Sequence, residues 1–196
     1  MRKENLVKNI SNLFCTRHVE IVKGLIKWLR PETVLEIGCF RGFVSANILL
    51  ALEELDNDGK LYIIDNFSLQ GAHLAVVHNN LVSCGLGSNV FILPIDSKQA
   101  QPQLPPIDFA FIDGDHSLES VAHDFKMATE LGAKCIVLHD SVSWWGVRDF
   151  VDAFSTENSG WNKIEANFDE GLTIFMAKEQ KPPVTYTKEA YGKGEV

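Results

Sequence analysis

The sequence predicts an α/β fold, a doubly wound, mostly parallel seven-stranded sheet that closes with a C-terminal antiparallel hairpin. Three observations carry this. Short apolar runs alternate with segments of helical apolar spacing. The run ending in Glu36-Ile37-Gly38 is followed by Gly42 and a helical pattern, which is the form of a buried strand, a tight turn and a helix start. Near the C-terminus two strand-like runs flank Asp169-Glu170-Gly171 with no helix between them.

Each element has its own signal. Leu6, Ile10, Leu13 and Phe14 have helical spacing, as do Val19, Val22, Ile26 and Leu29. Two N-terminal helices therefore precede Pro31, which ends the second. Thr33–Ile37 is the first strand, and a helix over 43–55 stops before Asn57-Asp58-Gly59. Lys60–Ile64 is the second strand, followed by a helix over 72–83 closed by Gly85. Val90–Leu93 is the third strand, and a loop with Pro102, Pro105 and Pro106 leads to a fourth over 107–112. Leu118–Glu130 is a helix closed by Gly132, 135–138 the fifth strand and 147–154 a further helix. Strands interleaved with helices imply a Rossmann-like sheet covered on both faces. In the last hairpin Ile164, Ala166 and Phe168 alternate, and Leu172–Ala177 is the returning strand. The organisation is N-terminal helices over 1–30, a sheet domain over 31–178, and a flexible tail over 179–196 where Lys, Glu, Pro and Gly dominate.

Composition narrows the partners. A net charge of -8 argues against a nucleic-acid or anionic-membrane surface. Cys15, Cys39, Cys84 and Cys135 form no CxxC pair, so neither a zinc knuckle nor a disulfide framework is indicated, and Cys135 reads as core. There is no signal-peptide pattern and no apolar run long enough to span a bilayer, so a cytoplasmic protein is the expectation.

In open α/β sheets ligands bind at the carboxyl ends of the strands. Five successive strand ends here carry polar residues. They are Glu36 and Gly38, Asp65-Asn66, Asp96-Ser97, the run Asp113-Gly114-Asp115-His116, and His139-Asp140-Ser141. A single strand-end Asp is often only a cap or turn residue, but the constellation points to a site. Glu36 just before the glycine turn suits a ligand with a cationic end, which points to S-adenosylmethionine (SAM) rather than a pyrophosphate. Asp65 can accept two ribose hydroxyls, so NAD competes. Against NAD, the turn is Gly38-x-x-x-Gly42, with Phe40 where a dinucleotide motif has its middle glycine.

The run from Glu36 to Phe43 resembles motif I of class I SAM-dependent methyltransferases, and the aromatic Phe40 resembles their small O-methyltransferase branch. The stretch from Ile107 to His116, followed by Val137-Leu138-His139-Asp140-Ser141, is similar to a bacterial subgroup. That subgroup is related to macrolide sugar O-methyltransferases and cephalosporin-hydroxylase-like proteins. The resemblance covers 31–178 and implies the class I methyltransferase fold.

The resemblance implies roles. Glu36 and the turn of Gly38, Cys39, Phe40 and Gly42 would hold the amino-acid end of SAM. Asp65, with Asn66 beside it, would take the ribose, and Asp96 and Ser97 would flank the adenine. Asp113 would lie beside the methionyl part and, with His139 and Asp140, would form a metal site. His116 falls where the catechol branch has its catalytic lysine. This chain also departs from the pattern. Val44 stands where a cofactor-binding Ser is common, with Ser45 one place late; His139 replaces a carboxylate; Ser141 replaces an Asn. A set of two carboxylates and one imidazole suits Mn²⁺, Fe²⁺ or Zn²⁺ better than Mg²⁺. The alternative is that His139-Asp140 only caps a loop.

The chemistry expected is methyl transfer to a hydroxyl of a small molecule or sugar. His116 has a side chain suited to general base work near neutral pH, or it caps the following helix. Without a metal, one of the two clustered carboxylates should have a raised pKa. His18, His73, His78 and His123 lie on helices without a motif and read as surface or satisfied core residues. Trp144 and Trp145 suggest a pocket wall, with at least one packed into the core. The lid would come from the N-terminal helices, the loop over 68–73 and the Trp loop, or from a second subunit in a homodimer. The rival functions are a metal-dependent hydroxylase-like or other SAM-fold enzyme, and a SAM-binding protein without catalysis.

Overall fold

In a computed structural model the described residues are 3–10, 16–156 and 159–178. Their strands are β1 (Thr33–Ile37), β2 (Lys60–Ile64), β3 (Val90–Leu93), β4 (Phe109–Ile112), β5 (Cys135–His139), β6 (Trp161–Ala166) and β7 (Leu172–Ala177). The helices are α1 (Lys3–Val7), α2 (Thr16–Leu29), α3 (Phe43–Glu53), α4 (Leu74–Ser83), α5 (Leu118–Glu130) and α6 (Trp145–Ala153). The sheet order is β3-β2-β1-β4-β5-β7-β6. β1 to β5 pair in parallel, and β7 runs antiparallel to both β5 and β6. The chain starts in the middle of the sheet, runs to one edge, then returns to the other side of β1. That reversal puts the topological switch point between β1 and β4. Register brings the carboxyl ends level, with Ile37 opposite both Ile64 and Ile112, and Ile112 opposite Leu138.

The two faces of the sheet bury separate cores. One holds Val19, Val22 and Ile26 of α2, Ile48 of α3, Val77 and Leu81 of α4, and Phe109 and Phe111 of β4. The other centres on Phe125 of α5, which meets Phe150, Phe154, Trp161 and Phe175 at ring-centroid distances of 4.9–5.6 Å. α3 shows why a buried helix loses its stripe. Its residues from Phe43 to Leu52 are all buried, because α2 covers the side turned away from the sheet.

Several boundaries moved for local reasons. The helix expected from 72 begins at Leu74, because Gly71 has φ 90° and His73 is extended. β4 begins at Phe109, because the amides of Ile107 and Asp108 bond to Leu131 and Thr33. α6 starts two residues early, with Trp144 extended at its cap. α1 ends at Val7, and the expected helical positions Leu13 and Phe14, together with the tail over 179–196, lie outside the described residues. Among the described residues no helix is long and apolar enough to cross a membrane.

Candidate active site

The glycine turn is shaped by what sits against it. Gly38 has φ 82°, and a Cβ there would lie 2.1 Å from the Asp113 carbonyl oxygen, so only glycine fits. Phe40 is also left-handed, at φ 49°, and Gly42, at φ 83°, opens α3. Asp65 clamps this turn from the end of β2. Its Oδ2 accepts from the Cys39 and Phe40 amides at 2.9 and 3.2 Å, and its Oδ1 from the Phe67 amide at 2.6 Å. Three of a carboxylate's roughly four acceptor directions are then taken by the backbone. Asn66 turns its Oδ1 onto the Ser68 amide at 3.0 Å. Asp96 caps the 3-10 turn Ser97–Gln99 by accepting from the Lys98 amide.

Glu36 is the outlier. It is fully buried beneath this turn, and neither carboxylate oxygen has a hydrogen-bond partner. Ser45 lies near enough to oppose the pKa shift, but outside hydrogen-bond geometry, and its own hydroxyl is equally unpartnered. Burial, with Asp113 and Asp65 adding to it, pushes the Glu36 carboxyl from the usual 4.5 up to about 8. A buried carboxyl group without a partner is costly, and a cationic ligand group would relieve it. These residues therefore fit the ammonium end of SAM.

At the ends of β4 and β5 four side chains converge. His139 Nδ1 lies 3.2 Å from Asp113 Oδ1 and 3.3 Å from Asp140 Oδ2. His116 Nε2 lies 3.0 Å from Asp140 Oδ2 and 3.5 Å from Asp113 Oδ1. Asp140 reaches both imidazoles from a left-handed backbone, φ 62°, a conformation that Asp tolerates better than most residues. One ligand atom each from Asp113, His139 and Asp140 lies within 4.8 Å of the others. Ligands on one transition metal sit about 3.3 Å apart at tetrahedral angles and bond lengths of about 2.0–2.1 Å. The His139 separations match this, so the donor set fits such a cation.

The electrostatics correct two expectations. Burial alone would lower both imidazoles, but hydrogen bonds and charge from Asp113 and Asp140 hold His116 and His139 up at about 9. His116 therefore carries a proton at neutral pH in this arrangement, and is not the ready base its residue type suggests. The expected raised carboxylate pKa is also absent at Asp140. Burial works to raise it, but hydrogen bonds from His116 and His139 hold it well below the usual carboxylate range.

His18 takes the satisfied-core form expected of it, but its contact with His139, and the neighbouring Glu170, escaped the sequence reading. His18 of α2 is fully buried, with Nδ1 3.0 Å from His139 Nε2 and Nε2 3.3 Å from the Phe168 carbonyl oxygen. Burial, then His139, lowers its pKa. Glu170, in the β6–β7 turn, places Oε2 3.9 Å from His18 Nδ1. The signal for His18 was its spacing, since His18, Val22 and Ile26 lie at i, i+4 and i+8 on the buried face. His73 and His78 are exposed, as expected. Trp144 and Trp145 are 53% and 83% exposed, so neither packs into the core. Trp144 instead stacks on His116, with centroids 4.8 Å apart and planes 17° apart. A cavity lined by Asn57, Gly59, Leu86 and Ser88 lies elsewhere, at the amino ends of β2 and β3, away from all of this chemistry.

A parallel sheet reversed at β1 and β4, a glycine turn after β1 and an antiparallel last strand define a class I SAM-dependent methyltransferase. Residues 35–142 match a family model described as a methyltransferase domain, and the chain belongs to that family. It is similar to the Bacillus cereus O-methyltransferase solved with SAH, with TM-score 0.71 and 16% identity over 90% of each chain. It is also similar to TomG of Streptomyces achromogenes, an O-methyltransferase of tomaymycin synthesis solved with SAM. There the TM-score is 0.68 and the identity 19%, over 87% of this chain and 83% of that one. The SAH-bound methyltransferase PaMTH1 of Podospora anserina gives TM-score 0.71 and 13% identity, over 90% and 86%. At such identities the likeness is one of fold. No curated protein matches the sequence.

Proposed function

We propose that the chain is a SAM-dependent O-methyltransferase acting on a hydroxyl of a small molecule or sugar, with a divalent metal held by Asp113, His139 and Asp140. The observation that carries this is the unpartnered Glu36 carboxyl beside an acid–histidine cluster at the same sheet end. Glu36 would pair with the SAM ammonium, which draws it into its charged form. Asp65 keeps the glycine turn in shape and has one acceptor direction left for the ribose; Asp96 and Ser97 would flank the adenine. When bound, SAM supplies a methyl group on a sulfonium, and the metal supplies acidity to a substrate hydroxyl. With a cation drawing on Asp113 and Asp140, His116 would lose the charge that keeps it protonated and would be the group to accept the hydroxyl proton. Trp144, stacked on His116, offers an apolar wall for the acceptor.

A second reading has its own support. The two imidazoles balance the two carboxylates as they stand, so the cluster is complete without a metal. His116 would then work alone, at alkaline pH. The experiment is calorimetry with SAM and with NAD, followed by methyl transfer to an acceptor panel before and after EDTA. The expected result is SAM binding, no NAD binding, and activity lost in EDTA and restored by Mn²⁺. NAD binding without SAM binding overturns the first reading entirely. Full activity in EDTA removes the metal and leaves His116.

A further inference from the structure

His139 has two ring nitrogens that face opposite ways. Nδ1 faces Asp113 and Asp140; Nε2 faces His18 and, beyond it, Glu170. We propose that His18 Nδ1, His139 Nε2 and Glu170 Oε2 form a second metal site, for a zinc-class transition-metal ion. It would tie α2 to the end of β5 and to the β6–β7 turn.

Four observations support the site. The three ligand atoms lie within 4.8 Å of one another. The Phe168 carbonyl can only accept, so His18 donates from Nε2 and turns its Nδ1 lone pair onto His139 Nε2. A backbone carbonyl on the far nitrogen is the support that metal-bound histidines commonly have. Glu170 Oε2 is buried and lacks a hydrogen-bond partner, although its side chain is partly exposed. The spacing also suits a metal. The His18–His139 nitrogens are 3.0 Å apart and Glu170 Oε2 is 3.9 Å from His18 Nδ1, on either side of the roughly 3.3 Å edge of a tetrahedral zinc site. A tetrahedral site asks the two imidazoles to part by about 0.3 Å and Glu170 to approach His18 by about 0.6 Å.

The donor chemistry sets the ion class. Two imidazoles and one carboxylate select Zn²⁺ or Co²⁺ over Mg²⁺ and Ca²⁺, which prefer oxygen. In the metal-free protein the His139 Nε2 proton bridges to His18; binding a cation there releases it to solvent. The site does not depend on the methyl-transfer reading, since none of its ligands other than His139 belongs to the first cluster.

The test is metal stoichiometry of the full chain after zinc loading and gel filtration, with Co²⁺ absorption as a second readout. The variants are His18→Ala, Glu170→Gln and Asp113→Asn, and SAM binding is measured in parallel to check folding. The expected result is one metal per chain, with its tetrahedral Co²⁺ contribution, that is lost in His18→Ala, weakened at least tenfold in affinity in Glu170→Gln, and retained in Asp113→Asn, apart from any metal on Asp113, His139 and Asp140, which Asp113→Asn removes. Glu170→Gln keeps the test valid if His18→Ala fails to fold. Unchanged metal content and spectrum in Glu170→Gln overturn the proposal. So does a single metal lost equally in Asp113→Asn, or no metal bound by the unmodified chain. Because SAM binding is read separately, failure of the second site leaves the methyltransferase reading standing.

Discussion

Two aspartates five positions apart flank β4, and the protein treats them in opposite ways. Asp108, at the amino end, accepts from the Glu32 amide, the Thr33 amide and the Thr33 hydroxyl at 2.9–3.0 Å. Its partners are backbone and hydroxyl groups of the same chain segment, and the carboxylate stitches β4 to the start of β1. Among the described residues, the Asp113 carboxylate, at the carboxyl end, is paired with two imidazoles at 3.2 and 3.5 Å. Nearby, Glu36 has no hydrogen-bond partner within geometry among the described residues. A parallel sheet satisfies its strand backbones along the whole length, so the difference lies in the side chains. At one end polar groups finish the fold; at the other they are left with unspent capacity for ligands.

The comparison can be broken at its strongest point first. Asp113→Asn removes charge from the cluster without changing its shape, and should lower turnover about 10²–10⁴-fold, with little loss of stability when unfolding is measured above pH 9, where His116 and His139 no longer draw on its charge. Parallel losses of turnover and folding free energy would place Asp113 with Asp108 as a structural residue. Gly38→Ala comes next, since its Cβ meets the Asp113 carbonyl oxygen at 2.1 Å and the backbone stays left-handed. It should cost about 1–3 kcal/mol or more in urea unfolding and abolish SAM binding. An alanine variant with wild-type midpoint and SAM affinity would show that the turn is not pinned.

Asp108→Ala is the converse of Asp113→Asn. It leaves two backbone amides without their acceptor and should lower stability by about 1–3 kcal/mol, with turnover per folded molecule unchanged. The most gradual effect is a slope. Glu36 is raised from the usual 4.5 to about 8, so the folded protein holds this proton more tightly than the unfolded chain. Its contribution to stability is present at low pH and is lost as pH rises between those values. His116 and His139, raised to about 9, add a loss over the window from 6.5 to 9. Denaturation midpoints of the SAM-free protein should therefore fall from pH 5 to pH 9. Glu36→Gln should flatten the lower part of that fall, and a variant with an unaltered slope would remove Glu36 from the account.

The sheet and its chemical end were legible because both are local in the sequence. Apolar runs mark strands, and a parallel sheet sends the residue after each run to the same rim. That rule places Glu36, Asp113, His139 and Asp140 at one rim, where the structure has them. What stayed hidden depends on contacts remote in the chain or on protonation. His18 reaches His139 across 121 residues, and no spacing rule links them. Asp65 was assigned to the ribose by position, but its bonds to the Cys39 and Phe40 amides exist only once the turn has formed. The charge on His116 follows from two carboxylates brought within 3.5 Å by separate strands. Trp144 was expected to serve either wall or core, and stacking on His116 keeps it at the surface.

The burial of His18 against His139 bears on where this protein can be cut. The family match starts at residue 35, and a gene fragment trimmed to that boundary would retain every acid of the site. It would also expose the far edge of the His139 ring and strip the cover from one face of α3. A border drawn by sequence likeness therefore passes through the working unit, and a trimmed version used in place of the whole chain would report on a differently solvated histidine.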